Sequence, residues 1–146
     1  MTRFSFVVPG QPLSWNRSYR QRVGYVKDKL GQRVLTATGK AKTRPMQYKT
    51  EEALRYQEAV QLTCQAAKPK GFTPDQVIVA YDFVLARDVD CDNVMKMTND
   101  AIGRALGLDD RHFFPVVCSK VIGSKAPEVL ITIYDRAVWK VEVLEK

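Results

Sequence analysis

Nine residues, Val77 to Leu85, constrain this chain more than any others. Val77, Val79, Tyr81, Phe83 and Leu85 alternate along one face, as a strand requires, and Ile78, Ala80 and Val84 make the opposite face apolar as well. Such a strand is central to a sheet and buried on both sides. It also delivers the chain directly into Asp88, Asp90 and Asp92.

The rest of the sequence supplies what that strand needs. Phe4, Phe6 and Val8 form a first strand, ended by the breaker Pro9-Gly10-Gln11-Pro12. From about Tyr48 to Ala67, apolar residues such as Leu54, Val60, Leu62 and Ala66 recur at helical spacing. Glu51 and Glu52 lie near the start of that segment and Lys68 near its end, as a helix dipole favours. Pro69 and Gly71 stop it. Val94, Met97, Ala101, Ile102, Ala105 and Leu106 predict a second amphipathic helix, from near Asp92 to just before Gly107. Further strands are expected at about 116–122 and 128–134. Residues 13–45 carry only short apolar fragments, Val23 to Val26 and Val34-Leu35, that can pair as a small hairpin. The expected architecture is α/β (α+β): one small domain over residues 1–146, a mixed β-sheet with two main helices packed on it, and a basic extended loop region at about 13–48.

Charge narrows the class of partner. Residues 1–50 hold eleven Lys/Arg and one acidic residue, Asp28, for a net +10; the whole chain is +7, so the remainder is −3. An imbalance of this kind points to a polyanion, most simply nucleic acid, because each neutralised phosphate releases counterions. Trp15 and Tyr19, interleaved with Arg17, Arg20 and Arg22, suit base stacking with phosphate contacts, or else anchor an irregular loop. No apolar run approaches the ~20 residues of a membrane span. The N-terminus lacks the pattern of a signal peptide, so a cytoplasmic location is expected. Cys64, Cys91 and Cys118 contain no Cys-x-x-Cys pair and are expected to be reduced and mostly buried.

Six of the ten aspartates fall between residues 88 and 110, with no glutamate among them. Asp90-x-Asp92 at a strand-to-helix junction, with Asp109-Asp110 returning from the far end of the helix, crowds like charges. Such a group is relieved by protonation, cations or metal, and oxygen ligands suit Mg²⁺ or Mn²⁺. Lys96 lies four residues after Asp92, on the same helix face, where an ammonium can stabilise charge at a phosphate. Metal plus lysine in a basic protein points to phosphodiester hydrolysis. The plain alternatives are that Asp92 caps the helix, Asp90 orders a loop, and Asp109-Asp110 form a cap or turn. Asp88-x-Asp90-x-Asp92 resembles the start of a calcium loop, but Asn93 and Asn99 stand where that loop needs glycine and glutamate. His112, the only histidine, is a candidate general base or phosphate ligand, or ordinary surface.

Taken together, Asp90-Cys91-Asp92-Asn93-Val94-Met95-Lys96, Asp100-Ala101-Ile102 and Gly107-Leu108-Asp109-Asp110 resemble the RusA family of Holliday junction resolvases. The segment Pro9 to Arg20, with Asn16-Arg17 after a proline-rich turn, resembles its opening. The resemblance implies a small homodimeric, Mg²⁺-dependent endonuclease of DNA recombination and repair, often carried by phages or prophages, that nicks four-way branched DNA symmetrically. It implies Asp90, Asp92 and Asp110 as catalytic metal ligands, with neighbouring Asp109 as the other member of the closing pair that can reach the metal, and Lys96 as the catalytic lysine. Candidate nucleic-acid contacts are Asn16, Arg17, Tyr19, Arg20, Arg22, Arg87 and Arg111. The chain departs from the family in Cys91, where an aliphatic residue is usual, and in an extension over residues 21–48. The rival readings are a noncatalytic junction-binding protein and a metal phosphoesterase acting on nucleotides.

Overall fold

The computed structural model describes residues 2–138, apart from the side chain of Arg22. Its principal sheet has four strands in the order β1 (Arg3–Pro9), β6 (Glu128–Asp135), β4 (Val77–Leu85) and β5 (Phe113–Ile122). β6 is antiparallel to both β1 and β4, whereas β5 runs parallel to β4, with an irregularity after Tyr81. β4 therefore has a hydrogen-bonded neighbour along each edge. The expected burial of both its faces holds fully only for one, because on the other Ile78 and Ala80 are buried while Asp82 and Val84 are half-buried. Val77, Val79, Tyr81, Phe83 and Leu85 are all fully buried. The Tyr81 and Phe83 rings stack nearly parallel, 5.3 Å apart.

Two helices, α2 (Glu51–Ala67) and α3 (Cys91–Leu106), pack on each other and contribute to the core formed with Phe4, Phe6, Val8, Val129, Ile131 and Ile133. Polar bonds fix their meeting. Buried Gln57 donates to the carbonyl of Met97 (3.0 Å) and accepts from Lys49 Nζ (2.9 Å), while the Tyr56 hydroxyl bonds Thr98 (2.8 Å). Burial pushes the Tyr56 phenol up to about 12. The other face of the sheet leaves Val7, Val116, Val121 and Leu130 exposed. No helix among the described residues is long and apolar enough to cross a membrane.

The helix starts differ from expectation by a residue or more. α2 begins at Glu51, not Tyr48, because Thr50 is the residue whose hydroxyl caps it, accepting from Ala53 N at 3.2 Å. Tyr48 and Lys49 are instead paired to Arg20 and Tyr19 in a strand. α3 is capped by Asp90 rather than Asp92: the Asp90 carboxylate accepts from Asp92 N at 3.0 Å. The helix ends as predicted at Gly107, which adopts φ 68° and returns its N–H to the Gly103 carbonyl. β5 starts three residues earlier than 116, at Phe113, because the parallel ladder begins where Phe113 meets Val77.

The largest departure lies in the basic segment. It is a projecting β-arm, not an extended loop. After a single helical turn, α1 (Trp15–Ser18), strands β2 (Tyr19–Tyr25) and β3 (Thr43–Lys49) pair antiparallel in a separate two-stranded sheet. The expected link between Val26 and Val34 is present, but Val26 also donates to Lys42, so the small hairpin is only the outer part of a longer arm. Cysteine burial is corrected as well. Cys64 is buried, Cys91 is half-buried and Cys118 is exposed, because β5 is an edge strand.

Candidate active site and nucleic-acid interface

The site is built around the two ends of α3. At its N-terminal end, the loop after β4 carries Arg87, Asp88 and Asp90, all exposed. Capping holds both Asp90 oxygens, one on Asp92 N and the other near Asn93 Nδ2 at 3.4 Å. Asp92 is exposed and makes no ion pair among the described residues. Lys120 on β5 clamps this loop, binding Asp88 Oδ1 at 2.5 Å and the Val89 carbonyl at 3.0 Å. The bond to Asp88 holds the Lys120 ammonium above its usual range. Partial burial pushes the Cys91 thiol up despite that lysine.

At the other end, the chain leaves α3 through Gly107 and turns at Asp109, whose carboxylate accepts from Arg111 N at 3.0 Å and caps the short 3-10 turn Asp110–His112. That backbone bond holds Asp109 below the usual carboxylate range. The hydrogen bond between the two side chains raises Asp110, with the nearby charges of Asp109 and Asp100 adding to the effect. Gly103 makes the return possible, since a Cβ there would lie 2.8 Å from the Leu108 carbonyl oxygen.

Lys96 joins the two ends. It lies one turn from Asp92 and one from Asp100, and it shares an open cleft of about 360 Å³ with Trp15, Asn99, Asp100, Asp110, Phe113 and Pro115. Its ammonium stands 5.7 Å from the Trp15 ring. Asp92 and Asp100 are eight residues apart, roughly 12 Å along the axis. The carboxylates accordingly form two groups, Asp88/Asp90/Asp92 and Asp100/Asp109/Asp110. Among the described residues no three His, Cys, Asp or Glu side chains stand close enough to share one ion. The donor chemistry still fits Mg²⁺, which keeps several waters and binds through one or two carboxylates plus substrate phosphates.

The basic candidates are distributed over several elements. Arg17 and Arg87 line one cleft with Gln11 and Glu52. Asn16 and Arg20 are exposed, whereas Arg111 lies 4.0 Å from Asp109. Arg22 sits in β2 opposite Met46, and its side chain lies outside the described residues. Trp15 and Tyr19 pack ring on ring at 4.4 Å against Leu13, Ala53 and Met97, which makes them anchors first. Trp15 still reaches the cleft. His112 is half-buried in the 3-10 turn and lines neither cleft of the site.

Sequence reasoning missed four participants. Lys120, Asn99 and Asp100 are brought in by the parallel strand and the helix face, and Asn99 is set by a bond from the buried Tyr81 hydroxyl. Gln11 accepts from Ala86 N (2.8 Å) and donates to the Arg87 carbonyl (3.2 Å), tying the first turn to the aspartate loop. Asp100 was visible at four residues from Lys96; the other three had no local signal.

A basic α+β domain that sets acidic groups at both ends of one helix, with a lysine between them and a basic arm beside them, is of the class built to meet a polyanion. Within that class the chain belongs to the RusA endodeoxyribonuclease family, whose sequence profile matches residues 9–134. No curated protein matches the chain. The family is one of nucleases that act on Holliday junction DNA.

Proposed function

We propose that this protein is a Mg²⁺-dependent, structure-selective endonuclease that resolves Holliday junctions by paired symmetric nicks in DNA recombination and repair. The observation that carries the reading is Lys96, placed between the acidic groups and facing an open cleft beside Asp110. Asp90 and Asp92 at one end of α3, and Asp110 with Asp109 at the other, are the residues that would hold Mg²⁺, or Mn²⁺ in its place, each group offering the one or two carboxylates such an ion takes. When bound, the ion supplies Lewis acidity and charge neutralisation at the scissile phosphate. Lys96 donates to a non-bridging phosphate oxygen and stabilises charge as water attacks in line and the 3′ oxygen departs. Lys120 positions the aspartate loop, and Arg17 and Arg87 hold the neighbouring phosphates. A four-way junction offers two equivalent strands, so a C₂ homodimer presenting two sites is the assembly. The work of such an enzyme places it in the cytoplasm.

The test uses labelled four-way junction, duplex and single-stranded DNA, with Mg²⁺ or with EDTA, and Asp92→Asn beside the wild type. Symmetric Mg²⁺-dependent nicks confined to the junction are expected. Asp92→Asn should bind normally yet cut slower by on the order of 10³-fold, the equivalent of several kcal/mol of lost transition-state stabilisation. Normal cleavage by Asp92→Asn would refute the assignment. Tight binding with no cleavage at any metal concentration would favour the noncatalytic junction binder, a reading to which the separation of the two acidic groups lends support.

A further inference from the structure

The β2–β3 arm carries chemistry that the cleavage site does not use. Between residues 19 and 49 there are nine Lys/Arg and one acidic residue, Asp28. The same segment exposes large apolar side chains: Val23 at 73 %, Leu35 at 62 % and Leu30 at 85 %, the highest of these. Leu30 is not on a slack loop. Asp28 Oδ1 accepts from both Leu30 N and Gln32 N at 2.9 Å, Asp28 N donates to the Gln32 carbonyl at 2.8 Å, and Gly31 takes φ 79° to close the turn. Asp28, the arm's one acidic side chain, is thus spent on building the turn. Lys27 is bridged to Arg33 across the base of this turn, Lys29 is exposed beside Leu30, and the Arg33 guanidinium rests 3.8 Å from the Tyr25 ring.

A two-stranded ribbon fits a DNA groove, and β2 alone spans roughly 23 Å. An exposed leucine on a formed, cation-flanked turn has the character of the apolar wedges that proteins insert between base steps. Branched DNA favours it, because steps beside a branch point are already partly unstacked and the cost of opening them is low. We infer that the arm is a second DNA-binding element, in which Lys27 and Lys29 contact phosphates and Leu30 wedges against an opened base step of branched DNA. The inference rests on the nuclease reading above and adds a contact that does not take part in cleavage.

The experiment measures binding of a four-way junction carrying 2-aminopurine beside the branch point, in EDTA, across a salt series. Wild type, Leu30→Ser and the double variant Lys27→Gln/Lys29→Gln are compared, with circular dichroism confirming that each folds. Wild type should raise 2-aminopurine fluorescence on binding. Leu30→Ser should lose that rise while keeping the salt slope, and the double variant should reduce the slope of log K against log salt by roughly 2. Should wild type bind while Leu30→Ser keeps the full fluorescence rise, the wedge is wrong; an unchanged slope in the double variant overturns the phosphate contacts. Both results leave the nuclease reading standing. Failure of wild type to bind junction or duplex at low salt would sink the nuclease reading and the arm inference together.

Discussion

β4 and the β2–β3 arm are both strand structures, and they are held by different things. In β4, five alternate side chains are fully buried and the ladder is doubled by neighbours on each side. In the arm, two strands share a single ladder, β3 is mostly exposed along its length, and shape comes from backbone bonds and from turns closed by Gly31 and Gly39. Burial makes one a foundation, and its scarcity makes the other an element that exposes most of its length to solvent. The acidic loop belongs to the first kind at its root, since it follows directly from Leu85, and is exposed only from Ala86 onward.

Phe83→Ala gives the comparison its strongest test. The ring is fully buried and stacked on Tyr81, so its removal should cost about 3–5 kcal/mol, a large part of the ~5–15 kcal/mol that holds a domain of this size. Urea unfolding of the two proteins measures it. A loss below about 1 kcal/mol would mean that β4 is not the foundation of the fold.

Gly103→Ala asks whether the two ends of α3 are mechanically one site. The added Cβ meets the Leu108 backbone carbonyl at 2.8 Å, so the return from α3 must open. We expect about 1–3 kcal/mol of destabilisation in urea melts. Junction cleavage should fall as well, because Asp109 and Asp110 move with Leu108. Unaltered cleavage in a destabilised protein would show that the Asp109/Asp110 group is dispensable and that the Asp90/Asp92 end acts alone.

The same contrast explains how much could be read from the sequence. β4, α3 and β6 were legible because one or both of their faces are buried, and burial writes a period into the residues. The acidic residues and Lys96 were legible as a set for a related reason: they sit at the end of the most strongly patterned strand and on the helix that follows. Their division into two groups was not, because it depends on the chain after Gly107 returning beside Asp100 rather than beside Asp92, which only the fold decides. Gln11 and Lys120 reach the aspartate loop across large sequence separations, and only the fold brings them there. β3 carries no strand signal because Thr43-Arg44-Pro45-Met46-Gln47-Tyr48-Lys49 has no apolar face; with nothing to bury, its pairing leaves no hydrophobic pattern.

The smallest expected effect sharpens the comparison most. Val23 lies in β2 opposite Pro45 and is 73 % exposed, so Val23→Ala removes two methyl groups that touch mainly water. Its effect on unfolding free energy should stay within about ±0.5 kcal/mol, the range of surface substitutions away from special features. The measurement is a urea melt at two protein concentrations. A loss above about 1 kcal/mol at both would mean that Val23 is covered within the chain and that the arm folds back on the body. A loss that grows with concentration would place Val23 in a contact between two copies. A change near zero at both leaves the arm as the structure has it, a ribbon that owes its form to its own hydrogen bonds and keeps its surface for something outside the chain.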